Sequence, residues 1–122
     1  PTIINDIKLK KCPRILNLFA SNDYVFIDDV VDLMNRIIQK NSPSGIYNVG
    51  SGVLTTNMKI LQTIENIMIG TNEYSNILNK KNKCTLPLGF YADTSKAKKY
   101  LNWRQNTNLK KGIIKILKHD NG

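Results

Sequence analysis

The sequence predicts an α/β fold, and three observations carry that prediction. Asn22 to Gly52 reads as strand, helix, strand and glycine turn in one compact run. Within it, Val30, Val31, Leu33, Met34, Ile37 and Ile38 recur at the spacing of a wide helical stripe, not at the two-residue alternation of a strand. Just beyond the glycine turn a second helical pattern begins, with Ile60, Leu61, Ile64, Ile67 and Met68 on one side. Two strands separated by a helix are joined most naturally by a parallel crossover.

Taken in order, Thr2 to Lys10 places Ile3, Ile4 and Ile7 at helical spacing, and Cys12-Pro13 closes the segment because proline cannot extend a helix. Arg14 to Phe19 and Tyr24 to Ile27 are β-prone runs on either side of a polar turn, Ala20-Ser21-Asn22-Asp23. Asp28 or Asp29 is positioned to cap the helix that starts at Val30, and Ser42-Pro43-Ser44-Gly45 stops it near Asn41. Ile46 to Val49 then reads as a short buried strand. Thr55, Thr56 or Asn57 caps the next helix, which Gly70 ends. Thr71 to Asn82 is polar and reads as a surface loop, and Cys84 to Leu88 as a short strand. Asp93 or Ser95 starts a small helix with Ala97, Tyr100 and Leu101 inward. A last helix, capped by Thr107 or Asn108, uses Leu109, Ile113, Ile116 and Leu117.

The 122 residues suffice for one domain with a modest core, and the 41% hydrophobic content is that of an ordinary globular chain. No apolar run approaches the roughly 20 residues of a membrane-spanning helix, and the first nine residues lack the pattern of a secretion signal; the expectation is a cytoplasmic protein. Cys12 and Cys84 have no Cys-x-x-Cys spacing and His119 is the sole histidine, too few ligands for a structural metal and consistent with two free thiols. The net charge of +9 raises the alternative of a basic interaction module that binds nucleic acid or a partner protein. The lysines are nevertheless scattered through Lys8, Lys10, Lys11, Lys80, Lys81, Lys83, Lys96, Lys98, Lys99, Lys110, Lys111, Lys115 and Lys118, a distribution that favours solvated faces, so nucleic acid is not expected as the partner.

Few constellations carry chemistry. Gly50-Ser51-Gly52 stands between a strand and a helix, where backbone N–H groups can approach a phosphate. The dinucleotide pattern Gly-x-Gly-x-x-Gly nonetheless fails at Thr55. Adjacent Asp28 and Asp29 resemble a carboxylate pair, but neighbouring residues point apart, and a role at the helix start is the better reading.

Two segments resemble the extended short-chain dehydrogenase/reductase family, the NAD-dependent sugar-nucleotide epimerases and dehydratases. They are Asp23-Tyr24-Val25-Phe26-Ile27-Asp28-Asp29-Val30 followed by Tyr47-Asn48-Val49-Gly50-Ser51-Gly52, and Ala92-Asp93-Thr94-Ser95-Lys96-Ala97 with Leu101-Asn102-Trp103. The resemblance implies the C-terminal, substrate-binding lobe of such an enzyme, with elements that complete a Rossmann-type domain. It also implies NAD or NADP in the intact parent, with none on this portion alone, a nucleoside-diphosphate sugar as ligand, and a parent that is a homodimer. The family's Tyr-x-x-x-Lys pair does not occur: Asp28, Ser51, Leu78, Ser95 and Arg104 stand four residues after the five tyrosines. No catalytic residue is therefore expected here, and the chain reads as the rear part of a longer protein whose N-terminal dinucleotide-binding domain precedes it. By position, the resemblance assigns substrate contacts to Asn22, where the family has an arginine that grips the diphosphate, to Tyr24 beside the nucleotide, to Asn57 near the base and ribose, and to Lys81 and Lys83 in place of a second arginine. Either this protein holds its diphosphate differently, or Arg14 or a lysine substitutes for the missing guanidinium. Trp103 reads as a core or interface anchor. A stripe left open at Val30 to Ile38 predicts poor solubility of the portion on its own.

Overall fold

The computed structural model describes residues 2–39, 41–81 and 89–119. Along them run α1 (Thr2–Lys8), β1 (Ser21–Asp23), α2 (Ile27–Gln39), β2 (Leu54–Thr56), α3 (Asn57–Met68), α4 (Glu73–Lys81), α5 (Ser95–Leu101) and α6 (Leu109–His119). β1 and β2 pair with one another. The chain divides into two compact units, one formed by Pro1–Ser21 with Thr55–Gly89 and the other by Asn22–Leu54 with Phe90–Gly122.

In the first unit α1 and α4 each pack on α3. The buried residues lie one helical turn apart, Ile4 and Ile7 on α1 and Leu61 and Ile64 on α3; removing each of these side chains from water contributes about 1.5–3 kcal/mol. The Thr56 hydroxyl accepts the Lys59 N–H at 3.1 Å and so caps α3. The N–H groups of Asn57 and Met58, which a helix start leaves without intrahelical partners, donate to the carbonyls of Ala20 and Leu18 at 3.0 and 2.8 Å. Gly70, at φ +70°, ends α3 in the left-handed conformation that the sequence pattern anticipates.

The segment after it departs from expectation. Residues 73–81 form a helix, not a surface loop, and the cause lies eight residues upstream of its start. Glu65, fully buried on α3, turns its carboxylate onto the first turn of α4 and accepts the N–H groups of Tyr74 at 2.6 Å and Ser75 at 3.1 Å. A carboxylate there satisfies unpaired donors and meets the positive end of the helix. Nothing local to the polar run Glu73 to Lys81 announces that partner.

In the second unit α2 packs on α5, and Leu33, Ala97, Leu101 and Trp103 make the core, with Tyr47 and Val49 against it. Trp103 is 1% exposed and its indole N–H donates to the Asp29 carbonyl at 3.1 Å, so it is a core anchor. Arg36 donates to the carbonyls of Leu101 and Asn102 at 3.2 and 3.0 Å, meeting orphan acceptors at the end of α5, where Asn102 takes φ +50°. Asn108 caps α6 by accepting the Lys111 N–H at 3.0 Å. Gly112 lets α6 approach Phe26, whose ring would lie 3.1 Å from a Cβ at that position.

Several other expectations are corrected. The polar run at Ser21–Asp23 is strand, whereas Arg14 to Phe19 is not, since Asn17 Oδ1 accepts the N–H groups of Phe19 and Ala20 and turns the chain there. α2 begins at Ile27, which places Asp28 and Asp29 inside its first turn rather than before it. Buried Asp29 accepts the N–H groups of Asn106 and Thr107 at 3.1 and 3.0 Å, tying a distant loop instead of capping its own helix, and Asp28 pairs with Lys115 at 2.6 Å. Ile46 to Val49 is not a buried strand and makes no parallel crossover: Ile46 is 84% exposed, and the described residues supply no ladder partner for it. Tyr100 and Ile116 face outward at 43% exposure each. The expected strand from Cys84 to Leu88 lies outside the described residues, as does Cys84. Cys12 is free and exposed.

α2 is apolar on two sides. Leu33 points into the core, while Ile27, Val31, Met34 and Ile38, four residues within one narrow sector of the helical wheel, are 64%, 48%, 57% and 82% exposed. An open apolar ridge of this kind promotes self-association. Replacing Val31 and Ile38 together by lysine is expected to leave far-ultraviolet helix content unchanged and to raise the solubility limit of the chain, as measured by light scattering against concentration. Replacing Glu65 by alanine is expected to destabilise the protein by about 1–3 kcal/mol, with loss of hydrogen-exchange protection concentrated at Tyr74 and Ser75.

Candidate ligand site

The best-built site lies in the second unit and starts from one carboxylate. β1 directs Asp23 to one side of the strand and its neighbours Asn22 and Tyr24 to the other. Asp23 Oδ1 accepts the Ser51 N–H at 2.6 Å and the Ser51 hydroxyl, and Oδ2 accepts the N–H groups of Gly52 and Ala92, each at 3.0 Å. Three points of the chain thus converge on one side chain. Gly50 is required beside it: a Cβ there would sit 2.4 Å from Asp23 Oδ2 and 2.7 Å from Ala92 Cβ. Gly52, at φ +74°, supplies the left-handed turn that aims its N–H inward.

Burial pushes the Asp23 carboxyl up, but the hydrogen bonds from the Ser51 hydroxyl and from the Ala92, Ser51 and Gly52 amides together outweigh it and hold the group below the ordinary aspartate value. Asp93 is lowered too, by the Ser95 hydroxyl and amide. Both are carboxylates at neutral pH.

Next to this knot is a cleft of about 450 Å³ lined by Asn22, Asp23, Asn48, Val49 and Phe90 to Asp93, a size suited to part of a small-molecule ligand. Asn48 donates to the Asp93 carbonyl at 3.2 Å and bridges the two walls. Phe90 and Tyr91 expose 89% and 60% of their surface. Among the described residues the lining carries two carboxylates and no cation.

Of the residues assigned from sequence, Asn22 and Tyr24 come together, the asparagine amide donating to the tyrosine hydroxyl at 3.4 Å. Asn22 lines the cleft, and Tyr24 is 38% exposed. Asn57 belongs to the first unit, where it opens α3 and donates to the Asn17 carbonyl at 2.8 Å. Lys81 is the last residue of α4 in that same unit and is exposed, and Lys83 lies outside the described residues. Asp23, Asn48, Tyr91 and Asp93 escaped the sequence reading as site residues. The signal was a charged residue bordering a β-prone run, together with two small residues, Gly50 and Ala92, that mark close approach. The Gly50-Ser51-Gly52 turn, the one stretch of sequence with the look of a phosphate cradle, has its amides taken by the protein's own Asp23 and does not fit a dinucleotide phosphate. Among the described residues no group of histidine, cysteine or acidic side chains is arranged to hold a metal, and no helix is long and apolar enough to cross a membrane.

Comparison with known proteins agrees with this architecture. Over 92% of its length the fold matches a UDP-glucuronic acid 4-epimerase of Bacillus cereus in complex with NAD, with a TM-score of 0.68 at 20% identity and 35% of that chain covered. Over 97% it matches the Bordetella bronchiseptica enzyme WbmF in complex with NAD+ and UDP, with a TM-score of 0.77 at 20% identity and 34% of that chain covered. In sequence it is 29% identical over 116 residues to a dTDP-4-dehydro-6-deoxyglucose reductase of Escherichia coli, covering 95% of this chain and 35% of that protein. The model of the GDP-mannose 4,6-dehydratase family matches residues 1–116, and the chain belongs to that family, within the extended short-chain dehydrogenase/reductases and their sugar-nucleotide epimerases and dehydratases. It spans about a third of the length of these relatives. The alternative of a basic interaction module is not favoured.

Replacing Gly50 by alanine is expected to cost about 1–3 kcal/mol, the usual penalty of overpacking a filled site, read as a lowered thermal midpoint with the Ser51 and Gly52 amide resonances shifted most.

Proposed function

We propose that this chain is the sugar-nucleotide-binding portion of an NAD(P)-dependent nucleoside-diphosphate-sugar epimerase, dehydratase or reductase. One observation carries the reading: the two segments that resemble the family meet in space, the run at Asn22-Asp23-Tyr24 and the run at Ala92-Asp93 being joined by the bond from the Ala92 amide to Asp23 and forming the walls of one cleft. Their 69-residue separation in the chain makes that meeting a property of the fold.

The chemistry of the lining defines what the cleft accepts. Two carboxylates disfavour a phosphate, whereas the Asn22 and Asn48 amides, the Tyr91 hydroxyl and the exposed Phe90 ring suit an uncharged group bearing hydroxyls or a flat base. The ligand's diphosphate then needs a cation from elsewhere, because Asn22 stands where relatives of this family carry an arginine. Asparagine donates a hydrogen bond without charge and forgoes the bidentate grip of a guanidinium.

NAD or NADP belongs, in this proposal, to an N-terminal domain that precedes these residues in the parent. The glycine turn is occupied by Asp23 and no Tyr-x-x-x-Lys pair occurs, so this chain binds and orients the sugar nucleotide and performs no proton or hydride step by itself. The open ridge of α2, Ile27, Val31, Met34 and Ile38, is where that domain packs. The parent is a cytoplasmic homodimer.

Calorimetric titration of the 122-residue chain with UDP-, CDP- and dTDP-sugars and with GDP-mannose is expected to show binding of one base class, without turnover. Replacing Asn22 by arginine is expected to tighten binding about tenfold, the equivalent of roughly one added charge-assisted hydrogen bond. Turnover by the isolated chain, or indifference to every sugar nucleotide, would overturn the assignment.

A further inference from the structure

Asp23 is not explained by its place in a strand. Among the described residues it has no lysine or arginine at ion-pair distance, and its charge is balanced by dipoles alone: three backbone N–H groups and one hydroxyl, from positions 51, 52 and 92. β1 and β2 are three residues each, too short for a ladder to fix the loops that follow. The side chain does what a bound anion does in a nest of amides, and both loops are shaped to receive it. Gly50 has no room for a methyl group against Oδ2, and Ala92 stands 2.7 Å from where that methyl would be. The same two loops carry the side chains that face the cleft, Asn48 just before the turn and Tyr91 just before Ala92.

We propose that Asp23 is the positioning residue of the ligand cleft: its carboxylate clamps the Gly50–Gly52 turn to the Phe90–Ala92 segment, so that Asn22, Asn48 and Tyr91 converge on the uncharged end of a nucleoside-diphosphate sugar. This rests on the reading of the cleft given above. The division of labour between the oxygens makes the assignment specific. Oδ2 holds both walls, Gly52 on one side and Ala92 on the other, whereas Oδ1 serves Ser51 alone. An alanine there removes both acceptors and releases both walls, whereas an asparagine can keep its oxygen toward Gly52 and Ala92 and lose only the Ser51 N–H. The groups that titrate around the clamp are Asp23 itself, Asp93, and the phenols of Tyr24 and Tyr91. Because Asp23 is held below its ordinary value, the clamp is fully formed above the usual carboxylate range and is lost as pH falls through the lowered value.

The test uses the 122-residue chain with UDP-glucose, dTDP-glucose and GDP-mannose as probes, whose diphosphate diesters keep a constant charge across the acid range. Asp23→Ala is expected to weaken whichever probe the unaltered chain binds by at least tenfold, and to remove hydrogen-exchange protection from Ser51, Gly52 and Ala92 while the Trp103 indole N–H stays protected. In the unaltered chain, the Asp23 carboxyl carbon, the amides of Ser51, Gly52 and Ala92 and the affinity for the probe are expected to titrate with one common midpoint below 3.8, the ordinary aspartate value. That second measurement stands even where the variant fails to fold, and a residue needed only for folding would not tie affinity to its own carboxyl titration. Binding of a probe by the unaltered chain with Asp23→Ala binding it within twofold, or an affinity whose midpoint differs from that of the Asp23 carboxyl, would overturn the clamp and leave the proposed function intact. No binding of any probe by the unaltered chain sinks both.

Discussion

Backbone N–H groups that no sheet ladder reaches must find acceptors elsewhere, and among the described residues three carboxylates supply them to amides nine or more residues away. Asp23 serves Ser51, Gly52 and Ala92; Asp29 serves Asn106 and Thr107; Glu65 serves Tyr74 and Ser75. With only two three-residue strands among the described residues, the loops depend on these side chains for their shape. Asp29 and Glu65 are almost wholly buried, and polar groups in such a place are tolerated because bonds from backbone amides replace their lost hydration. The bonds formed by Asp23 and Asp29 each join segments tens of residues apart, which makes these two carboxylates the fasteners of the second unit.

The Asp23 fastening has a chemical consequence for the glycine turn. A turn of small residues between an extended segment and a helix ordinarily offers its amides to a ligand's phosphate, but here an internal anion takes that place. The turn thereby stands beside the cleft, whose lining comes from the side chains around it. That lining is acidic and aromatic. The overall +9 charge of the protein is no guide to the site, because the lysines are spread over solvated faces while the cleft itself holds Asp23 and Asp93.

α2 shows how the same periodic pattern serves two purposes. One side, centred on Leu33, closes the core with Ala97, Leu101 and Trp103. The other, Ile27 to Ile38, remains open to solvent. A helix apolar on two sides is suited to a position between two packed bodies, and Ile46 is exposed as well.

What the sequence determined by itself was whatever depends on spacing within a few residues: the existence, though not each boundary, of α1, α2, α3, α5 and α6, short lists of candidate caps that include Thr56 and Asn108, the stop at Gly70, the anchoring role of Trp103, and the family resemblance at Asp23-Tyr24 and Ala92-Asp93. Periodicity and capping are local and leave marks in the order of residues. Of the site, Asn22 was legible because it stands at a motif position, while Asn48 and Tyr91 were not, because neither is unusual among its neighbours. Tertiary structure alone decided that the polar run at Glu73 is helix, that Ile46 to Val49 lacks a strand partner, that Asp29 ties a loop instead of capping α2, and that Asp23 fills the glycine turn. Each of those outcomes is set by an acceptor, or the lack of one, many residues away, and a backbone amide carries no sign in the sequence of which distant carboxylate will meet it.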